Sequence, residues 1–93
     1  MQLKDRFTVS KDVVAREVGG EMVLLDLQSG QYFGLDIVGG RIWEHLSERP
    51  HDLAELCDLI ESEFDAPRDQ IEADLLALAQ QLSDQQLITA EAA

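Results

Sequence analysis

The chain has 93 residues, 45% of them hydrophobic and 28% charged. That is enough for one modest core and far from the composition of a disordered segment. Nineteen acidic residues against seven basic ones give a net charge of -12, which works against gripping nucleic acid and favours a neutral or basic partner. No run approaches the roughly 18 apolar residues of a membrane span.

Residues 1–50 hold six basic and eight acidic side chains, a net of -2, whereas residues 51–93 hold only Arg68 against eleven acids, a net of -10. The first ten residues, MQLKDRFTVS, contain no apolar signal core, so the expected location is the cytoplasm. A single domain over residues 1–93 is expected, as a monomer or weak dimer.

Taken in chain order, Val13 to Val18 (VVAREV) and Glu21 to Leu27 (EMVLLDL) are rich in β-branched and large apolar residues. The pair Gly19-Gly20 between them predicts a two-residue hairpin, because primed turns need positive φ. Gln28-Ser29-Gly30 then predicts a three-residue hairpin loop, with Gly30 left-handed, leading to a third strand over Gln31 to Leu35. A three-stranded antiparallel meander follows. Its expected core face carries Val23, Leu25, Leu27, Phe33 and Leu35.

Asp36 is placed to cap a helix. Val38, Ile42 and Leu46 form its apolar stripe with Trp43 alongside, and Pro50 ends it. Asp52 with Glu55 has the spacing of a capping box, and Leu53, Leu56, Ile60 and Phe64 make a second stripe. Pro67 suits the first turn of a third helix, whose stripe is Ile71, Leu75, Leu78 and Leu82. Leu87 to Thr89 return as a short extended tail. The fold class is α+β: three strands, then three helices.

Catalytic and metal-binding patterns are missing from this string. His45 and His51 have no matching Cys or His cluster and read as exposed polar residues. Gly39-Gly40 lacks the Lys-Ser/Thr of a phosphate loop, and reads instead as two small residues that let a helix start close against the sheet. The acids Glu61, Glu63, Asp65, Asp69, Glu72 and Asp74 read as a solvated face. Ser10, Ser29, Ser47, Ser62 and Ser83 have no nucleophile motif around them. Cys57, the single cysteine, reads as a small buried hydrophobe. No enzyme, no cofactor and no metal is expected.

The segment Tyr32-Phe33-Gly34-Leu35-Asp36, with Val38-Gly39 and Ile42-Trp43, resembles the PqqD-like proteins, the precursor-peptide recognition elements of ribosomally made, modified peptides. Asp74-Leu75 matches the family's Asp-apolar pair on the third helix. The likeness extends over about residues 7–88. Two positions depart from it: Gly40 stands where Ala is commoner, and Gln86 where Gly often precedes the final Leu. The resemblance implies a winged helix-turn-helix with an N-terminal three-stranded sheet and no catalytic activity. It implies capture of a leader peptide as a strand added beside Gln31, Tyr32, Phe33, Gly34 and Leu35. The opposing wall would be the third helix, through Ile71, Glu72, Asp74, Leu75 and Leu78. The implied partners are the precursor peptide and a modifying enzyme or leader peptidase. The free-standing length and the run YFGLDIVGGRIW lean toward a lasso-type pathway.

Independent physical reasoning points the same way. The third strand of a meander is an edge, and a guest strand can pair with its free backbone groups. Asp69, Glu72 and Asp74 would steer a basic guest. Two rivals stand beside this reading. A winged-helix DNA regulator fits the element order, but its recognition helix would offer phosphates only Arg68 against those acids. An enzyme-docking subunit that binds no peptide would use an apolar patch at Met22 and Leu24.

Overall fold

The computed structural model of the protein describes residues 1–91. In chain order the elements are β1 (Arg6–Val9), β2 (Val13–Val18), β3 (Glu21–Asp26), β4 (Tyr32–Leu35), α1 (Ile37–Glu48), β5 (His51–Asp52), α2 (Leu53–Glu63), α3 (Arg68–Asp84) and β6 (Ile88–Ala90). They form two antiparallel three-stranded sheets, ordered β2-β3-β4 and β5-β1-β6, together with three helices. The class is mixed α and β, as expected, in a winged helix-turn-helix arrangement. The second sheet is an addition to the expected plan. β1 has only four residues and no turn signal before it, while β5 has two. Both exist because the tail strand β6 and the α1–α2 connection converge on Phe7, which is opposite His51 on one side and Ala90 on the other.

The β2–β3 hairpin closes on Val18 opposite Glu21, with Gly19 and Gly20 at φ of 60° and 88°. This is the primed turn that the two glycines predict. The β3–β4 connection differs from expectation by one residue. Asp26 N–H donates to the Gln31 carbonyl at 2.9 Å, so the loop is Leu27 to Gly30 rather than Gln28 to Gly30. Asp26 holds that loop itself: its carboxylate accepts from the Gln28 N–H at 3.0 Å and the Ser29 hydroxyl at 2.9 Å. Its carbonyl accepts from the Gly30 N–H at 2.8 Å. Gly30 is left-handed, at φ 74°.

A one-residue change in register turns every side chain of a strand to the other face. Phe33 is therefore opposite Leu24, and Leu35 opposite Met22. The core face of β3 is Met22 and Leu24, not Val23, Leu25 and Leu27. Leu24 is fully buried, Val23 and Leu25 are only partly covered, and Leu27 is 59% exposed. The same finding removes the docking patch expected at Met22 and Leu24, since both lie in the core.

α1 begins at Asp36, whose carboxylate accepts from the Gly39 N–H at 2.7 Å. A Cβ on Gly39 would lie 3.3 Å from the Leu35 side chain, and one on Gly40 would lie 3.3 Å from Met22. The two small residues let the helix start against the sheet, as expected. α2 opens with the reciprocal capping box, Glu55 N–H to Asp52 at 2.7 Å and Asp52 N–H to Glu55 at 3.2 Å. Pro67 stands just before α3 as its N-cap rather than inside the first turn. At the other end Gln86 takes the left-handed φ of 63°, the conformation that favours glycine at a helix C-terminus.

The histidines also depart from expectation. His45 and His51 are 8% and 2% exposed, with ring centroids 6.1 Å apart and edge-on. Burial requires polar partners, and each has one. His51 Nδ1–H donates to the Arg49 carbonyl at 2.8 Å, and His45 Nε2 lies 2.8 Å from Glu63. Arg41 donates to the same Glu63 carboxylate at 2.8 and 3.0 Å. That pairing, with desolvation opposing it and His45 adding to it, lowers the Glu63 pKa to about 2. Among the acids read as a solvated face, Glu63 instead ties α2 to α1. Cys57 is fully buried, and burial pushes its thiol pKa up.

Trp43 is 3% exposed within the core that joins α1 to the other helices. Truncating a buried Trp costs ~3–5 kcal/mol, a large share of a small domain's stability. Trp43→Ala is expected to abolish the cooperative thermal transition or to lower its midpoint severely. A melt matching the parent would mean the indole is not a core element.

Candidate functional site

Among the described residues β4 is an edge strand, paired only with β3. In an antiparallel ladder, residues alternate between bonding to the neighbour and facing away. Because Asp26 bonds to Gln31, the bonded pairs that follow are Leu24 with Phe33 and Met22 with Leu35. The main-chain groups of Tyr32 and Gly34 therefore point away from β3. Two residues of a four-residue strand thus present an open N–H and C=O pair each.

Beside that edge lies a cleft of about 320 Å³, between β4 with the start of α1 on one side and α2–α3 on the other. Its walls are apolar: Leu35, Val38, Ile42, Ile60, Phe64, Ile71, Leu75 and Leu78, with Asp36, Gln70 and Asp74 at polar positions. A second hollow of about 380 Å³ continues along the same edge, lined by Phe33, Leu78, Gln81, Leu82 and Asp84. Gly34, Leu35 and Leu78 border both. α3 packs mainly on α2 and β6 rather than on β4, which leaves β4 uncovered. Gly34 has nothing within 4 Å of its would-be Cβ, so the backbone there is open to a close neighbour.

The sequence-derived residues divide cleanly. Gly34, Leu35, Ile71, Asp74, Leu75 and Leu78 come together around the main cleft, and Phe33 lines the adjoining hollow. Tyr32 offers its backbone to the edge, but its side chain stands on the outer sheet face, 70% exposed. Gln31 borders a separate polar hollow with Asp26 and Asp84. Glu72 does not line the cleft; it accepts from Arg68 Nε at 2.8 Å along its own helix, and Arg68 also reaches Asp58 at 2.6 Å. Residues that sequence reasoning passed over include the cap Asp36 with Val38 and Ile42 of α1, and Ile60, Phe64 and Ala66 from α2 and its exit. All but Ala66, which lies in the α2–α3 turn, were visible as apolar-stripe or capping positions. What the stripe cannot disclose is which part of it is left uncovered.

The family model described as "Coenzyme PQQ synthesis protein D (PqqD)" matches residues 21–88. The chain belongs to the PqqD family. The matched region begins at β3 and ends at the first residue of β6, so it contains both walls of the cleft. No curated protein sequence matches the chain. Two solved structures share the PqqD-type fold across nearly their whole lengths. One, "TbiB1 in Complex with the TbiA(beta) Leader Peptide", is 38% identical, with a TM-score of 0.81 over 92% of this chain and 99% of that one. The other, "Lasso peptide synthetase B1 complexed with the leader peptide", is 26% identical, with a TM-score of 0.76 over 89% of this chain and 96% of that one. Both relatives are leader-peptide complexes. Among the described residues, no helix is long and apolar enough to cross a membrane.

Proposed function

We propose that this PqqD-family protein is a non-catalytic recognition element. It captures the leader segment of a ribosomally made precursor as a strand added beside β4, and presents it in the cytoplasm to a modifying enzyme or leader peptidase. The observation that carries this reading is the pairing of an open edge at Tyr32 and Gly34 with an apolar cleft walled by α3. Main-chain hydrogen bonds alone contribute only ~0.5–1.5 kcal/mol each. Four such bonds need two or three buried apolar side chains beside them to reach micromolar affinity, about -8 kcal/mol. Side chains of an added strand alternate, so every second guest residue would enter the hollows that meet at Gly34 and Leu78. The leader-bound lasso peptide synthetase relative supports a lasso-type pathway as the setting.

Charge supports a basic or neutral guest. Arg68 pairs with Glu72 and Asp58, so those acids are partly neutralised, whereas Asp74 stands exposed on the cleft wall. The DNA-binding alternative fares poorly for the same reason, since Arg68 is the single cation on α3 and is already engaged.

Two measurements test this reading. Amide exchange with saturating leader peptide is expected to slow at Tyr32 and Gly34, with side-chain shifts at Ile71, Leu75 and Leu78. Protection confined to residues 13–18 would put the guest on the opposite edge and refute the site. Separately, Asp74→Lys is expected to slow association of a basic leader modestly and flatten its salt dependence, since an exposed pair contributes only ~0.2–1 kcal/mol. An unchanged rate at low salt would remove Asp74 from steering.

A further inference from the structure

The register that buries Met22 and Leu24 turns a different row outward. Val14 of β2 is opposite Leu25 of β3, which is opposite Tyr32 of β4, so three apolar side chains cross the whole sheet in one line. Val23 lies beside that row and Val18 ends the same face of β2. Val14, Val18 and Tyr32 are 48%, 56% and 70% exposed. Among the described residues no helix covers this face, because α1 packs on the Met22 side. Contiguous exposed apolar surface of this kind marks an interaction site.

The charge of the face is as informative as its apolarity. The strand residues sharing it include one cation, Arg16, and one anion, Glu21, in a chain whose net charge is -12. Eleven of the nineteen acids belong to residues 51–93, outside this sheet. Two copies of so acidic a chain repel one another, which disfavours a second copy as the occupant. A guest strand beside β4 would place its outward side chains in line with the Val14–Leu25–Tyr32 row, because directly opposed residues share a face. Any protein seated on the outer face would then touch the carrier and the captured peptide together.

We propose that the outer face of β2–β3–β4 is the docking surface for the enzyme that acts on the captured peptide, through an apolar, uncharged patch on that enzyme. The proposal rests on the recognition role argued above. The cleft and the outer face divide the work: inward guest side chains are read by the carrier, outward ones are offered to the enzyme.

The test uses the full chain, its precursor's leader peptide, and the purified peptidase or modifying enzyme that acts on that precursor. Carrier–enzyme affinity is measured by biolayer interferometry, with and without saturating leader, and leader affinity by fluorescence titration. Val14 and Val18 lie on the strand farthest from β4, two strand spacings or roughly 9–10 Å away. Val14→Glu with Val18→Glu is expected to weaken enzyme binding on the order of tenfold or more while leader affinity stays within about twofold. Val14→Thr with Val18→Thr keeps strand-forming residues, so it reports even if the charged variant folds poorly. It is expected to give a smaller loss in the same direction. Enzyme affinity unchanged in the threonine variant and in a folded glutamate variant would overturn the proposal. So would a parent that self-associates through this face. Failure of the parent to bind leader, with enzyme docking intact and sensitive to these substitutions, would sink the recognition role and leave the docking face standing.

Discussion

The rest of the structure depends on where the β3–β4 hairpin closes. Asp26 bonds across to Gln31 and uses its own carboxylate to hold Gln28 and Ser29, which fixes a loop of four residues. Closing one residue later would have sent Met22 and Leu24 to solvent and brought Val23 and Leu25 inside. The same closure pairs Phe33 and Leu35 with β3 and leaves the backbone groups of Tyr32 and Gly34 on the open edge. Core, cleft and outer face are thus three consequences of one turn.

The helices convert that edge into a site. Asp36 ends β4 and begins α1 within one residue, so the strand is anchored at the point where it meets the cleft. Gly39 and Gly40 bring α1 against Leu35 and Met22, and larger residues there would push the helix away. Across the gap, α3 is held by α2 and by β6 rather than by the meander. The groove stays open because its two walls belong to separately supported parts of the fold. The His45–Glu63–Arg41 cluster reinforces the junction of α1 with α2 behind it.

Much of this was legible in the residues. The glycine pair, the Asp36 cap, the Asp52–Glu55 box and the helix stripes each rest on local chemistry, and each appears in its place. The β3 face was not legible, because Met-Val-Leu-Leu is apolar on both sides and only the turn decides between them. The exposed-histidine reading failed for a related reason. Burial of His45 and His51 depends on Glu63, eighteen residues beyond His45, and on strand β1, whose pairing is entirely long-range. Nor does the stripe disclose that Glu72 stands off the cleft wall, where its i,i-4 partner Arg68 holds it along the helix surface.

The central claim, that a peptide binds through the alternating open backbone of β4, is tested most directly by a set of leader peptides each N-methylated at a single backbone nitrogen. Methylation deletes one donor and leaves the side chains intact. Strand addition beside Tyr32 and Gly34 predicts an affinity loss at every second position of the bound segment, on the order of tenfold where a paired donor is lost and its partner is left unsatisfied. The intervening positions should tolerate the methyl group. A leader that binds equally well with any one nitrogen methylated would contradict recognition through the strand edge.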